Sequence, residues 1–184
     1  MRSGLMLGAM LVLACVSGAL ADVFNMPSGL TSLETVPVGN AGNASDVRYN
    51  LDRRPEGYGR VDYEYRIGKY EVTAGQYTEF LNAVAKADTY GLYDVRMWED
   101  YGCKIERTGS PGTYQYSVSA DRANRPVNCV SWGDAARFCN WLTNGQQSGG
   151  QNASTTEDGS YYLNGAISDD ALMAVARKSN ARYV

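Results

Sequence analysis

Hydrophobic and polar residues alternate most regularly in the segment VDYEYRI, residues 61–67. Its apolar positions are Val61, Tyr63, Tyr65 and Ile67. Because successive side chains of a strand point to opposite faces, this pattern predicts a strand with one apolar and one charged face. We expect the strand to resume after Gly68 and to run through Val72, and a shorter strand to cover Glu34 to Val38.

The spacing of apolar residues becomes helical after this strand. Thr73 and Gln76 have the T-x-x-Q spacing of a capping box, in which each side chain accepts a hydrogen bond from the other residue's backbone N–H. Apolar residues at i, i+3, i+4 and i+7 follow: Tyr77, Phe80, Leu81 and Val84. They form a single stripe, which predicts a helix that ends near residues 86–88.

A second helix is predicted after residue 130. Ser131 is a favoured N-cap residue, and Asp134 places a carboxylate at the positive end of the helix. The apolar stripe of this helix comprises Ala135, Phe138, Cys139 and Leu142. Asn144-Gly145 ends it, because these two residue types suit the left-handed conformation that often follows a helix.

Shorter elements are predicted between long polar loops. The strand candidates are residues 112–118, 125–130 and 161–163. The segment from Ser168 to Asn180 begins with a capped turn and suits a helix or a strand equally. Because helices and strands are mixed without regular alternation, we predict the α+β class.

The first 21 residues have the pattern of a secretory signal. Arg2 precedes an apolar run that ends at Val16, and Ala19-Leu20-Ala21 matches an A-x-A cleavage site. The apolar run is shorter than the ~20 residues that span a bilayer, so we expect no transmembrane segment once the signal is removed. A lipoprotein signal that uses Cys15 is the alternative, although Leu13 fits that pattern poorly.

These boundaries divide the chain into residues 1–21 as signal, 22–33 as leader and 34–184 as domain. The formal net charge is −3, and removing the signal takes away one further positive charge. No cluster of Lys or Arg is present, which argues against a nucleic-acid partner. The absence of histidine excludes, within these residues, Cys-His and Ser-His nucleophile pairs and histidine metal sites.

Three cysteines remain after the signal. For Cys129 and Cys139 we weigh a packed thiol, a disulfide and a catalytic role, and the helical pattern around Cys139 favours packing. Cys103 lies in a Tyr- and Gly-rich loop, where we expect an exposed and reactive thiol.

Other candidate residues have structural explanations. The neighbouring acidic pairs are expected on the solvated surface, because adjacent side chains point apart: Glu99/Asp100, Glu157/Asp158 and Asp169/Asp170. Trp132 and Trp141 are expected to anchor the packing where helix meets sheet. The fourteen tyrosines suit either a ligand-facing surface or irregular packing, and the sequence does not choose between them.

Two segments, YRIGKYEVTAGQYTEFLNAV and RPVNCVSWGDAARFCNWLTNGQ, resemble the N-terminal signature blocks of the formylglycine-generating enzyme family, also called sulfatase-modifying factors. The first block aligns through Glu71-Val72-Thr73, and the second through Pro126-Val127, Val130-Ser131-Trp132 and Asp134-Ala135. VPVGNAGNASD resembles the opening of many members. The resemblance covers residues 34–184.

The resemblance implies a C-type-lectin-like α+β fold. It also implies an oxidase that converts a sulfatase cysteine to formylglycine with molecular oxygen and copper held by two cysteines, with structural calcium nearby. In the family these functional residues follow an L-P-x-E-x-E-W block, and the sequence ends at Val184 where that block is due.

We therefore expect a fold that is incomplete at its C-terminus, with no catalytic, cofactor or metal residue assigned here. No cysteine of the chain matches the copper pair. The expected partner is a sulfatase polypeptide or a surface ligand, and the expected location is the periplasm, the medium or the cell surface. The alternative to an oxidase is a non-catalytic lectin-like binding or cell-surface module.

Overall fold

The computed structural model of the chain describes residues 33–48 and 57–184. The strands in these ranges are β1 (Thr35–Val38), β2 (Tyr65–Gly68), β3 (Ile105–Thr108) and β4 (Gln115–Val118). The helices are α1 (Ala74–Val84), α2 (Trp132–Thr143) and α3 (Asp169–Met173), with a 3₁₀ turn at Val95–Met97. This mixture is compatible with the predicted α+β class. The signal segment, including Cys15, lies outside the described residues.

The four strands form two separate antiparallel ribbons. β1 pairs with β2 so that Thr35 lies opposite Gly68, and β3 pairs with β4 so that Ile105 lies opposite Val118. The strand predicted at residues 34–38 is confirmed to within one residue. The strand predicted at residues 112–118 is present in its second half.

The long alternating strand predicted for residues 61–72 is wrong in length and in burial. Only Tyr65–Gly68 is β-strand, and Ile67, expected on a buried face, is 53% exposed. In the described part of the chain β2 has β1 as its only strand partner, so the ribbon is not covered by a second layer of sheet. The alternating pattern could not predict this exposure. It shows that the two faces of the strand differ, but not whether another element covers the apolar face.

Helix α1 begins as predicted. The backbone N–H of Gln76 donates to Thr73 Oγ1 at 3.2 Å, and the N–H of Thr73 donates to Gln76 Oε1 at 3.0 Å. The helix ends at Val84, a few residues earlier than expected. The carbonyl of Lys86 instead accepts hydrogen bonds from two backbone N–H groups of the loop before β4, which stops the helix.

Helix α2 also begins with a capping box, but its buried face differs from the prediction. Ser131 Oγ accepts from the N–H of Asp134 at 3.2 Å, and Asp134 Oδ2 accepts from the N–H of Ser131 at 2.9 Å. Ala135 is exposed and Cys139 only partly buried, whereas Arg137 and Asn140 are buried. The reason is that the loop of residues 155–166 covers the polar side of α2, which a purely apolar stripe does not record.

The core lies where α1 and α2 meet. Phe80 contacts Phe138 edge to face at a ring-centroid distance of 5.3 Å, Trp141 at 5.2 Å and Tyr77 at 5.4 Å. Trp141 is therefore a packing anchor, as predicted. Trp132 is not, because it is 50% exposed at the start of α2, where its ring meets the Tyr161 ring edge to face at a centroid distance of 5.5 Å.

The three remaining predicted segments have different structures. The strand candidate at residues 125–130 is reduced to a single bridge between Pro126 and Thr73, and that at 161–163 to the bridges of Tyr161 with Arg177 and of Tyr162 with Asp158. The ambiguous segment after Ser168 is the short helix α3, whose N–H at Ala171 donates to Ser168 Oγ.

A buried ion pair fastens the loop of residues 155–166 to α2. Arg137 donates from Nε and Nη2 to the two carboxylate oxygens of Glu157, at 2.7 and 3.0 Å. Glu157 also accepts from the N–H of Gly165 at 2.8 Å, and the ring of Tyr90 lies 4.5 Å from the guanidinium carbon. Glu157 is 5% exposed, so its expected place on the solvated surface is wrong.

We predict that Glu157→Ala destabilises the protein strongly. It leaves the Arg137 charge buried without its carboxylate, a change that typically costs about 3–5 kcal/mol. The measurement is the free energy of unfolding from urea titration. The matched control is Asp62→Ala, which removes the carboxylate of the exposed pair Arg60–Asp62 and should change stability little. Equal losses in the two variants would contradict the assigned role of the buried pair.

Candidate functional site

The cleft that brings together the most polar side chains of different kinds lies between the 3₁₀ turn and the start of α2. We call it the Asp94 cleft. Its volume is about 550 Å³, and the lining residues that matter here are Tyr93, Asp94, Arg96, Cys129, Ser131 and Asp134. It thus combines two carboxylates, a guanidinium, a thiol and a phenol on one open surface.

Asp94 and Arg96 form one wall of the Asp94 cleft. Asp94 is the N-cap of the 3₁₀ turn, and its Oδ1 accepts from the backbone N–H of Arg96 at 2.8 Å and from Arg96 Nε at 2.9 Å. These hydrogen bonds lower the pKa of Asp94 to about 2. The carboxylate therefore stays ionised at neutral pH and is a poor general base, because it holds its partner rather than a proton.

Ser131 and Asp134 form the opposite wall. Burial raises the pKa of Asp134, and the hydrogen bonds from the Ser131 hydroxyl and N–H act against that shift. Asp134 lies near a second carboxylate, Asp88, which raises its pKa further. Since the capping box already occupies this carboxylate, its main effect is to fix the start of α2 and the cleft wall.

Cys129 lies between these two walls. Its backbone has φ 58°, the left-handed region that a non-glycine residue seldom adopts. Burial raises the pKa of its thiol, and the nearby Arg96 guanidinium only partly opposes this. The thiol is therefore protonated at neutral pH, and no histidine is available in the chain to activate it.

The other two cysteines are placed differently from each other. Cys103 is 4% exposed and belongs to the apolar core, so the expectation of an exposed thiol is wrong. The cause is the tight turn at Gly102, where a Cβ atom would clash with the Met97 carbonyl oxygen. Cys139 is partly buried on α2, and burial raises its pKa to about 11.

Cys103, Cys129 and Cys139 are all free thiols in the structure. Between the alternatives weighed for Cys129 and Cys139, the structure thus favours packed thiols over a disulfide that joins these two residues.

A second cleft, of about 440 Å³, lies beside the start of α1 and is lined in part by Glu34, Glu71, Thr73 and Gln76. Its polar side chains already have structural partners: Glu34 accepts from Lys69 Nζ at 3.0 Å, and Thr73 with Gln76 forms the capping box. We regard it as the weaker candidate site because its lining contains neither a guanidinium nor a thiol.

The tyrosines divide between the two roles considered for them. Three are buried and donate from their hydroxyls to backbone carbonyls: Tyr77 to Leu92, Tyr93 to Ile105 and Tyr116 to Ala85. Six are exposed: Tyr58, Tyr63, Tyr65, Tyr70, Tyr101 and Tyr162. Irregular packing explains the first group, and the second group lies on the surface.

Sequence reasoning missed Asp94 and Arg96, because the loop of residues 88–124 shows no periodicity. A usable signal was present in Asp94-Val95-Arg96, where an Asx side chain can accept from the N–H two residues later and start a turn. Nothing in the sequence indicated that Arg137 and Glu157, 20 residues apart, form a buried pair.

Two features of residues 33–48 and 57–184 bear on function. No group of three or more His, Cys, Asp or Glu side chains is arranged to hold a metal ion there. In the same ranges none of the helices has the length and apolar character needed to cross a membrane.

The fold and the site define a mixed helix-and-strand domain in which two capped helices pack through aromatic residues. Residues 24–180 match the family model described as the sulfatase-modifying factor enzyme 1-like domain. Because this match spans most of the chain, the protein belongs to that family, as the two signature blocks indicated. Comparisons with curated proteins and with solved structures gave no match.

We predict that the two capping boxes respond differently to pH. That of α1 is uncharged, whereas that of α2 contains Asp134, whose usual pKa of 3.8 is raised in the folded protein. A raised pKa means that the folded state binds the proton more tightly than the unfolded state. This favours folding below pH 3.8, and the contribution is lost as the pH rises through the raised value.

The measurement is the free energy of unfolding of three proteins between pH 3 and 7. As the pH rises, the wild type should lose stability relative to Asp134→Asn. The variant keeps the capping interaction, because the asparagine side chain can still accept from Ser131, and it has no carboxyl group to ionise. Thr73→Ala is the control and should cost roughly 1 kcal/mol at every pH. A pH-independent effect of Asp134→Asn would contradict the burial of the carboxylate.

Proposed function

We propose that this chain is an exported sulfatase-modifying-factor family protein in which the described residues form a C-type-lectin-like scaffold with a ligand-binding cleft and do not themselves oxidise a cysteine. The observation that carries this proposal is the structural role of the residues in the two signature blocks. Their polar residues Thr73, Gln76, Ser131 and Asp134 cap helices, and their aromatic residues build the core.

The donor set of these residues does not fit the copper centre that the family resemblance implies. A substrate cysteine has to reach the metal, yet Cys103 lies inside the apolar core. Cys139 lies beside Tyr161 on α2, and its thiol has a raised pKa because of burial. Cys129 lines the Asp94 cleft, but Cys103 in the adjoining loop is buried, so the two do not form an open pair of thiolates that a substrate cysteine could reach.

The Asp94 cleft supports the binding part of the proposal. Its walls are rigid, because a 3₁₀ turn and a capped helix fix them, and its polar groups are ionised or hydrogen-bonded in defined directions. Such preorganised polar groups give orientation and specificity to a bound ligand at low entropic cost. A sulfatase polypeptide or another ligand at the cell surface is the proposed occupant.

Family membership favours a second candidate function, the oxidation of a sulfatase cysteine to formylglycine. Under this alternative the copper ligands are residues outside those described. The described residues then contribute the scaffold and a wall for the substrate polypeptide, so both candidates assign them the same mechanical role.

The test is a reaction of the purified, reduced chain with copper, oxygen and a synthetic peptide that carries a sulfatase's target cysteine. We expect no thiol-to-aldehyde mass change in the peptide, and the same result for the wild type and Cys129→Ser. Aldehyde formation by the wild type would overturn the non-catalytic proposal. Loss of that activity in Cys129→Ser but not in Cys139→Ser would in addition locate the metal at the Asp94 cleft.

Export is tested separately by the N-terminus of the protein recovered from expressing bacteria. We expect Edman sequencing or intact mass to show a first residue of Asp22, after removal of residues 1–21. Ala21→Arg is a suitable control, since a charged residue in the A-x-A site should block cleavage. A lipid-modified N-terminus at Cys15 would support the lipoprotein alternative, and retention of Met1 in a cytosolic fraction would contradict export.

A further inference from the structure

Two loops that each carry a cysteine contact one another beside the Asp94 cleft. One loop leads from the 3₁₀ turn into β3 and contains Cys103, and the other leads into α2 and contains Cys129. The side-chain amide of Asn128 donates to the carbonyl of Tyr101 at 2.9 Å, which joins the two loops next to their cysteines. Both cysteines pack against the same apolar core cluster.

Cys103 is held from both sides. A side chain at position 102 would clash with the carbonyl oxygens of Arg96 and Met97, so only glycine fits there, and the N–H of Lys104 donates to the Met97 carbonyl at 2.7 Å. The thiol is buried, so an oxidant in solution cannot meet it first. A thiol in this position reacts with a neighbouring sulfur inside the protein.

Cys129, unlike Cys103, can be reached from solvent. It is half-buried on the cleft wall, where small molecules reach it, and its left-handed backbone marks a point of the loop that is not locked into regular structure. Burial is the main cause of the raised pKa of its thiol, and Cys103 is among the groups close enough to raise it further. Cys139 is not among those groups; it affects Tyr161 instead.

We propose that Cys103 and Cys129 are a redox pair that forms an intramolecular disulfide when the protein meets a small-molecule disulfide such as oxidised glutathione. The Cys129 thiolate attacks one sulfur of the oxidant and releases one glutathione thiolate. The Cys103 thiolate then attacks the Cys129 sulfur and releases the second. Two protons leave the protein, and the oxidant gains the two electrons of the new bond.

The bond joins the loop that precedes β3 to the loop that leads into α2. It closes the chain between residues 103 and 129, a segment that contains the whole β3–β4 ribbon. This restricts the unfolded chain and fixes the distance between the two walls of the cleft. The proposal concerns the state of the cleft and is independent of which ligand the cleft binds.

The experiment is a peptide map of the full chain after equilibration with oxidised and reduced glutathione, acid quench, alkylation and digestion without reductant. Trypsin cleaves after Lys104 and after Arg137, so Cys103, Cys129 and Cys139 fall on three different peptides, and Cys15 on a fourth. We expect one cross-linked pair, residues 97–104 with residues 123–137, and an alkylated Cys139.

Variants report the order of the two steps. In Cys103→Ser, the Cys129 peptide should accumulate as a mixed disulfide with glutathione, because the resolving thiol is missing. In Cys129→Ser, both the cross-link and the adduct should be absent, and Cys139→Ser should match the wild type. A cross-link between Cys129 and Cys139, or three alkylated thiols in the wild type under excess oxidised glutathione, would overturn the proposal. The wild-type map decides this even if a variant fails to fold.

Discussion

The contact between α1 and α2 is the constraint on which the rest of this structure depends. Among residues 33–48 and 57–184 each ribbon has two strands, and an isolated two-stranded ribbon is marginally stable in water. The apolar surface that makes folding favourable therefore comes from the aromatic residues between the helices, with Phe80 at the centre. Each capping box fixes where its helix starts and hence which side chains reach this contact.

Polar side chains provide hydrogen-bond partners for backbone groups that neighbouring strands of a larger sheet would satisfy in other folds. Asn82 on α1 accepts from the N–H of Tyr116 and donates to its carbonyl, both at 2.9 Å, which joins β4 to the helix as a neighbouring strand would. Asn140 on α2 does the same for the N–H and carbonyl of Tyr161. Buried backbone groups need partners, and a chain with little regular structure supplies them from side chains.

This difference explains what the sequence could and could not predict. The two helix starts follow from local rules, since Thr73 with Gln76 and Ser131 with Asp134 lie three residues apart and the apolar stripes follow directly. The Arg137–Glu157 pair and the burial of Cys103 depend on loops that meet in space, and no spacing rule records such contacts. The exposure of Ile67 was mispredicted for the same reason: burial of a strand face depends on a covering layer and not on its own alternation.

The distinction between local sequence rules and contacts made in space also explains why the sequence indicates the family more clearly than the function. The signature blocks that indicated the family lie at helix starts and in the aromatic core, so they report the scaffold and not the chemistry that it supports. The Asp94 cleft is built by residues outside the apolar stripes, and its properties come from local electrostatics. Arg96 holds the carboxylate of Asp94 ionised, burial raises the pKa of Asp134, and burial also raises the pKa of the Cys129 thiol. Since burial raises the pKa of the Cys129 thiol, only a small fraction of it is thiolate at neutral pH, and its exchange with other sulfur compounds is therefore slow.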